Sequence, residues 1–209
     1  MEKFDILTAV AAPYPHTNVD TDRIIRIERC ARTPREQMGS WAFEVERFMA
    51  DGSDNPQFVL NRAPFRGAGI LVAGENFGCG SSREMAVWAI AGMGIRCVIA
   101  PSFGEIFFGN CFQNGLLPIR LDASEVEGLL QRLGALAAGE TKKATLSVDL
   151  RSCQISTPWG EAIGFEVEPM RRQMLLEGLD PVGLTLRQEA QIDAFQRADR
   201  QRRPWIHQV

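Results

Sequence analysis

An α/β fold with a mostly parallel core sheet and β-rich additions is predicted by three features of the sequence. Between residues 69 and 121, short apolar runs alternate with longer segments of helical period, the pattern left by right-handed crossovers between parallel strands. Beyond residue 141 the sequence shifts to short alternating runs that read as antiparallel strands. A chain of 209 residues with 45% apolar content suits one core with appended elements, because a chain of that size buries about 70% of its unfolded surface.

Taken in order, "FDILTAVA" (4–11) reads as the first strand, and "APYPHTNVDTD" (12–22) as turn-rich backbone, since Pro, Asn and Asp all favour non-helical conformations. From 22 to 66 charged and aromatic residues follow one another without a clean period, around a loop at 51–56, and no element is assigned there. "GILVAG" (69–74) is a buried strand, 82–93 a helix, "RCVIA" (96–100) a strand, 103–114 a helix and "LLPIRL" (116–121) a strand. The segment 123–137 places Val126, Leu129, Leu130, Leu133 and Leu136 at helical spacing, with Asp122 or Ser124 available as N-cap. "KATLSVDL", "CQISTP" and "AIGFEVEP" are predicted strands, and helices are predicted at 169–177 and 186–199. The expected organisation is a single domain over 1–209, with its core in 69–140 and a C-terminal cap in 141–209. The arginines at 197, 200, 202 and 203 read as a solvated helix end, and Trp205 as a side chain free to dock.

Charge excludes more than it identifies. A formal charge of −3 is neither the basic excess of a nucleic-acid binder nor the acidic excess of a solvated tail. The first residues lack the apolar stretch of a secretory signal, and no run approaches the ~18 residues of a membrane span, so a cytoplasmic protein without membrane or nucleic-acid partners is expected. Five scattered cysteines, Cys30, Cys79, Cys97, Cys111 and Cys153, predict free thiols in a reducing compartment. No C-x-x-C or compact Cys/His cluster is present, so no metal or iron-sulfur site is expected from this chain alone.

The chemistry concentrates in "GENFGCGSSRE" (74–84). A dinucleotide fingerprint requires a glycine where Arg83 stands, a Walker loop requires a lysine, and a nucleophile elbow requires Gly-x-Ser-x-Gly. With His16 and His207 as the only histidines, a Ser-His-Asp triad has few candidates. Ser81-x-x-Glu84 has the spacing of a capping box. Two readings follow. One is an ordinary strand-to-helix turn with Ser81 as its cap; the other is a carboxylate cradle, in which glycines admit a ligand to the backbone and Arg83 offers a planar fork. Asp20 and Asp22 satisfy a turn or stand behind such a site. Asn110 and Asn114 flank a helix end, where Asn114 before Gly115 suits C-capping. Cys79 reads as a small residue demanded by the turn rather than a nucleophile.

"ENFGCGSSRE", preceded by "NVDTDRII" (18–25) and followed by "APSFGEIFFGNCFQNGLLPI" (100–119), resembles the small subunits of 3-isopropylmalate dehydratase, the swivel-domain half of the aconitase superfamily. "VLNRAPFRGAGILVA" (59–73) and "GLDPVGLTL" (178–186) extend the resemblance over nearly the whole chain. It implies an aconitase-type swivelling β/β/α domain and a hydro-lyase that interconverts 2- and 3-isopropylmalate by loss and re-addition of water in leucine biosynthesis. It further implies a 4Fe-4S cluster carried by a partner large subunit, Ser81 as the base for the carbon-bound proton, and Arg83 and Ser82 as carboxylate ligands. Asp20, Asp22 and Asn110 are then candidates to stand behind them. A helix N-terminus stabilises an anion by at most ~2 kcal/mol, too little to make a serine basic at neutral pH, so the isolated chain is expected to be inactive. The match departs at Met85, where the family has His, and at Arg26, where it has Pro. The loop "RIERCARTPREQM" (26–38) is unusually charged where the family reads the substrate's alkyl group. A paralogue acting on citraconate, dimethylmaleate or another branched diacid is the enzymatic alternative, and a non-catalytic binding subunit the alternative of another class.

Overall fold

The computed structural model describes residues 1–206. Seven strands form one sheet in the order β4-β3-β2-β1-β5-β6-β7: β1 (Ile6–Tyr14), β2 (Ile70–Ala73), β3 (Cys97–Ala100), β4 (Leu117–Arg120), β5 (Thr145–Asp149), β6 (Gln154–Ser156) and β7 (Ala162–Gly164). Strands β1 to β4 run parallel, in register through Ala11 opposite Ile70, Ile70 opposite Cys97 and Cys97 opposite Leu117. Strands β5 to β7 continue from the other edge of β1 as an antiparallel meander.

Strand β1 belongs to both halves, and its sequence shows it. Residues 6–10, paired with β5, alternate between exposed and partly buried, whereas 11–14, paired with β2, are buried throughout. Antiparallel strands tolerate one wet face; parallel strands flanked by crossover helices do not.

The helices are α1 (Thr21–Ile24), α2 (Ile27–Cys30), α3 (Glu44–Arg47), α4 (Glu84–Gly92), α5 (Glu105–Gln113), α6 (Ala123–Gly134), α7 (Pro169–Glu177), α8 (Pro181–Leu186) and α9 (Glu189–Arg202). Helix α4 crosses from β2 to β3 and α5 from β3 to β4, while residues 15–69 make the crossover from β1 to β2; α6 lies across β1, β2 and β3. Asp122 begins α6 with a capping box, its backbone amide donating to the Glu125 carboxylate at 3.2 Å. Val126, Leu129 and Leu133 of α6 are buried and Leu130 is partly so; the helix ends at Gly134 rather than running to 137, and Leu136, past its end, is also only partly buried. The helix expected at 82–93 begins two residues later, at Glu84.

Residues 22–66 form an integral layer of short helical and 3₁₀ turns that contributes Ile24, Ile25, Met38, Phe43 and Leu60 to the core. The turn Arg35–Trp41 presses on α4 so closely that a Cβ at Gly39 would stand 2.1 Å from the carbonyl carbon of Gly92. At the other end, α7 packs through Met174 and Leu175, and its Gly178 carbonyl accepts from the N-terminal ammonium at 3.0 Å. Helices α8 and α9 bury no residue. The helix expected at 186–199 is α9, displaced to Glu189–Arg202, and the short α8 before it was not expected; Trp205 is 67% exposed, and His207 lies outside the described residues. Among the described residues no helix is long and apolar enough to cross a membrane. All five cysteines carry free thiols.

Candidate functional site

Strand β2 delivers the chain into the glycine-rich turn, which is stitched down on two sides. On one, the Phe77 amide donates to the Ser102 carbonyl (3.1 Å) and the Phe77 carbonyl accepts from Gly104 (2.9 Å). On the other, the Gly78 and Cys79 amides donate to the Val19 carbonyl (2.7 and 3.2 Å), and the Thr21 amide donates to the Cys79 carbonyl (3.0 Å). Phe77 is fully buried and edge-on to Phe107 at 5.5 Å. Gly78 takes a left-handed φ of +73°, and a Cβ there would sit 2.2 Å from Cγ of Phe107. Only glycine meets both conditions.

Past Gly80 the backbone turns outward, leaving Ser81 and Ser82 exposed and Arg83 half-buried. The capping box expected from Ser81-x-x-Glu84 does not form. Arg83 occupies the N-cap position, and no side chain caps the helix. Ser81 is held instead through its backbone: the Thr21 hydroxyl donates to the Ser81 carbonyl at 3.0 Å, which leaves the Ser81 side chain free at the surface.

Arg83 and Asp22 form an ion pair through Nη1 of the arginine. The Arg83 side chain is 12% exposed and the Asp22 side chain 53%, so the guanidinium lies against the protein with the carboxylate on its outer side. Hydrogen bonding from Arg83 holds the Asp22 carboxyl below the usual aspartate range, with a smaller opposing effect of burial. Nε and Nη2 of Arg83 have no hydrogen bond among the described residues, so the side-on edge of the fork is unpaired. Cys30 stands nearby; burial raises its thiol pKa and the charge of Arg83 opposes that shift.

Asp20 acts as a cap, accepting from the Arg23 amide at 2.7 Å. Its segment forms a parallel bridge with Cys79, so the turn role expected of it is met beside the site. Asn110 offers its backbone carbonyl to Asn114, and its side chain makes no hydrogen bond among the described residues. Asn114 does more than end a helix: it donates to Glu84 (2.8 Å) and to the Asn110 carbonyl (2.9 Å), and accepts from Trp88 (2.9 Å) and Arg35 (2.8 Å). That uses every donor and lone pair of the amide and ties the end of α5, the first turn of α4 and the charged loop to one side chain. Thr21, Arg35 and Trp88 were not signalled by spacing; their partners lie tens of residues away in the chain.

Several arginines of loop 26–38 are held by acidic and aromatic side chains within and beyond the loop. Arg29 pairs with Glu44 at 2.6 Å and covers the Trp41 ring at 3.4 Å, Arg26 pairs with Glu28 and Glu44, and Arg35 covers the Trp88 ring. Ile27 stands out of this loop, 54% exposed, and its backbone amide faces Asp22. Among the described residues no group of three metal-binding side chains occurs.

The profile of the aconitase C-terminal domain family matches residues 1–124, and that of the C-terminal domain of 3-isopropylmalate dehydratase small subunits matches residues 182–208. A 3-isopropylmalate dehydratase small subunit of Gluconacetobacter diazotrophicus is 50% identical over 207 residues, covering 98% of this chain and 97% of the relative. The chain belongs to the 3-isopropylmalate dehydratase small-subunit family. Another member of that family, from Rhodospirillum centenum, is 52% identical over 98% of both chains. The crystal structure of 3-isopropylmalate dehydratase from Methanocaldococcus jannaschii superposes with a TM-score of 0.63 at 29% identity, over 90% of this chain and 99% of that one. The fold is therefore the aconitase-type α/β domain, and membership of a small-subunit family implies a large-subunit partner.

Proposed function

We propose that this chain is the small subunit of a 3-isopropylmalate dehydratase, which exchanges the hydroxyl position between 2- and 3-isopropylmalate through loss and re-addition of water in leucine biosynthesis. The observation that carries the reading beyond family membership is the unpaired edge of the Arg83 fork. One nitrogen is fixed by Asp22, and the free side-on edge matches a substrate carboxylate, which such a fork binds through two parallel hydrogen bonds.

Ser82, exposed next to that fork, adds a hydroxyl donor to the same carboxylate. Ser81 is exposed at the turn; its ionised Oγ would take the carbon-bound proton while the substrate hydroxyl leaves the neighbouring carbon to an acidic site of the large subunit, and would return the proton on rehydration. A serine needs a dry, preorganised surround to act as a base. An exposed side chain gains that only when a second protein closes over it, so the active site forms between the subunits.

A 4Fe-4S cluster belongs, in this reading, to the large subunit. The cysteines here do not fit one: Cys97 and Cys111 are buried, with thiol pKa values raised by burial, and no cluster of ligating side chains occurs among the described residues. The exposed Ile27, in a loop whose Arg26 and Arg29 are neutralised by Glu28 and Glu44, favours an alkyl-bearing diacid over a more polar one.

The test is reconstitution with the cognate large subunit. Turnover of isopropylmalate by the complex and none by the chain alone is expected, with Ser81→Ala lowering kcat by about 10²–10⁴. A Ser81→Ala complex with full activity would reduce the chain to a binding subunit. Faster turnover of methyl-substituted malates would assign it to a paralogue.

A further inference from the structure

Two polar residues are buried in the described chain, Thr21 and Thr157, and Thr21 is only 1% exposed. Its hydroxyl donates to the carbonyl of Ser81 at 3.0 Å, across sixty positions of sequence. We infer that Thr21 is a positioning residue for the reaction: its hydroxyl sets the backbone of residue 81, and thereby where the Ser81 oxygen stands relative to the carboxylate on Arg83. This deepens the assignment of Ser81 as the base and rests on it.

The geometry separates Thr21 from ordinary structural support. Segment 19–21 is already joined to the glycine turn by backbone bonds, from Gly78 and Cys79 to Val19 and from Thr21 to Cys79. Those bonds stop at Cys79. Beyond it lies Gly80, with a left-handed φ of +84°, a residue type whose backbone roams widely when nothing holds it. The Thr21 side chain is the next tie along the turn, and the one made to residue 81 itself. Asp22, the neighbour of Thr21, grips Arg83. Consecutive residues of one short helix therefore hold the proposed base and the proposed carboxylate ligand, and fix the spacing between them.

Replacing the hydroxyl by a methyl, Thr21→Val, keeps the shape and every backbone bond but leaves the Ser81 carbonyl without its donor. A displacement of about 1 Å at a reacting group costs on the order of a hundredfold in rate. The complex with the large subunit is therefore expected to lose about a hundredfold in kcat while KM changes little, because Arg83 and Asp22 stay in place. Thr21→Ser, which restores the hydroxyl without the methyl, recovers most of the rate.

The experiment compares kcat and KM for wild type, Thr21→Val, Thr21→Ser and Ser81→Ala in the reconstituted holoenzyme, with association of the two subunits measured for each. Should the valine variant fail to assemble, Thr21→Ala against Thr21→Ser asks the same question with smaller side chains. A low kcat restored by serine supports the inference. Equal losses in the valine and serine variants overturn it, since the methyl would then be what matters. Wild-type kcat in Thr21→Val alongside an inactive Ser81→Ala overturns it while leaving the base intact. Full activity in Ser81→Ala instead removes the reading beneath it.

Discussion

At Arg83 the protein aims a guanidinium without using it up. Asp22 fixes Nη1 and leaves the side-on edge unpaired, so the pair has a stability consequence that can be read separately from activity. The Asp22 carboxyl is held below its usual range mainly by the Arg83 hydrogen bond. A depressed carboxyl contributes stability that is complete above the unfolded value of about 4 and is lost as pH falls through the lower folded value. Because the Asp22 side chain is 53% exposed, solvent screening limits the contribution to under about 1 kcal/mol. Asp22→Asn is therefore expected to lower the urea midpoint slightly at pH 6–7, and the difference from wild type is expected to close as the pH is taken down toward 2. A gap that stays constant across that range would mean the ion pair is not its source.

Among the elements, the glycine turn shows how a local pattern is decided by remote neighbours. Gly78→Ala would meet both a left-handed backbone and the Phe107 ring, so a loss of about 2 kcal/mol or more is expected, measured as a urea midpoint shift. A loss near zero would show that α5 yields easily. The alternation from β2 to β4 was legible in the sequence because each strand and helix there carries its own periodicity over consecutive residues. Residues 22–66 were not legible, because their short turns are held by irregular side-chain bonds rather than a repeating pattern: Arg47 donates to the Gly39 carbonyl at 2.9 Å, Asn61 to the Arg47 carbonyl at 2.6 Å, and Phe43 adopts a left-handed φ of 54° in a fully buried site. The same cause misplaced the cap. Ser81 has the spacing of a capping residue, but Thr21 captures its carbonyl and α4 begins only at Glu84. Arg83 and Asp22 were readable as candidates from residue type; that they touch was not, since nothing in spacing joins positions 22 and 83.

Across the whole molecule, the C-terminal arm contributes little to the core. Helix α9 has no buried residue, and Phe195, Trp205 and Ile206 are each more than half exposed. A truncation after Gln188 is expected to keep the melting temperature of the remainder within about 2 °C, because a 1 kcal/mol change moves a domain of this size by only ~2–4 °C. A fall of ten degrees by calorimetry would show that the arm packs on the body. The other end of the chain behaves oppositely. Strand β1 lies in the middle of the sheet, with β2 at 70–73 on one side and β5 at 145–149 on the other. Strand β1 thus keeps an unpaired edge until β5, more than a hundred residues further along the chain, has been made. Its closure onto Asp149 joins segments more than a hundred residues apart, which slows folding and makes nascent chains that stop short of β5 exposed targets for aggregation or chaperones.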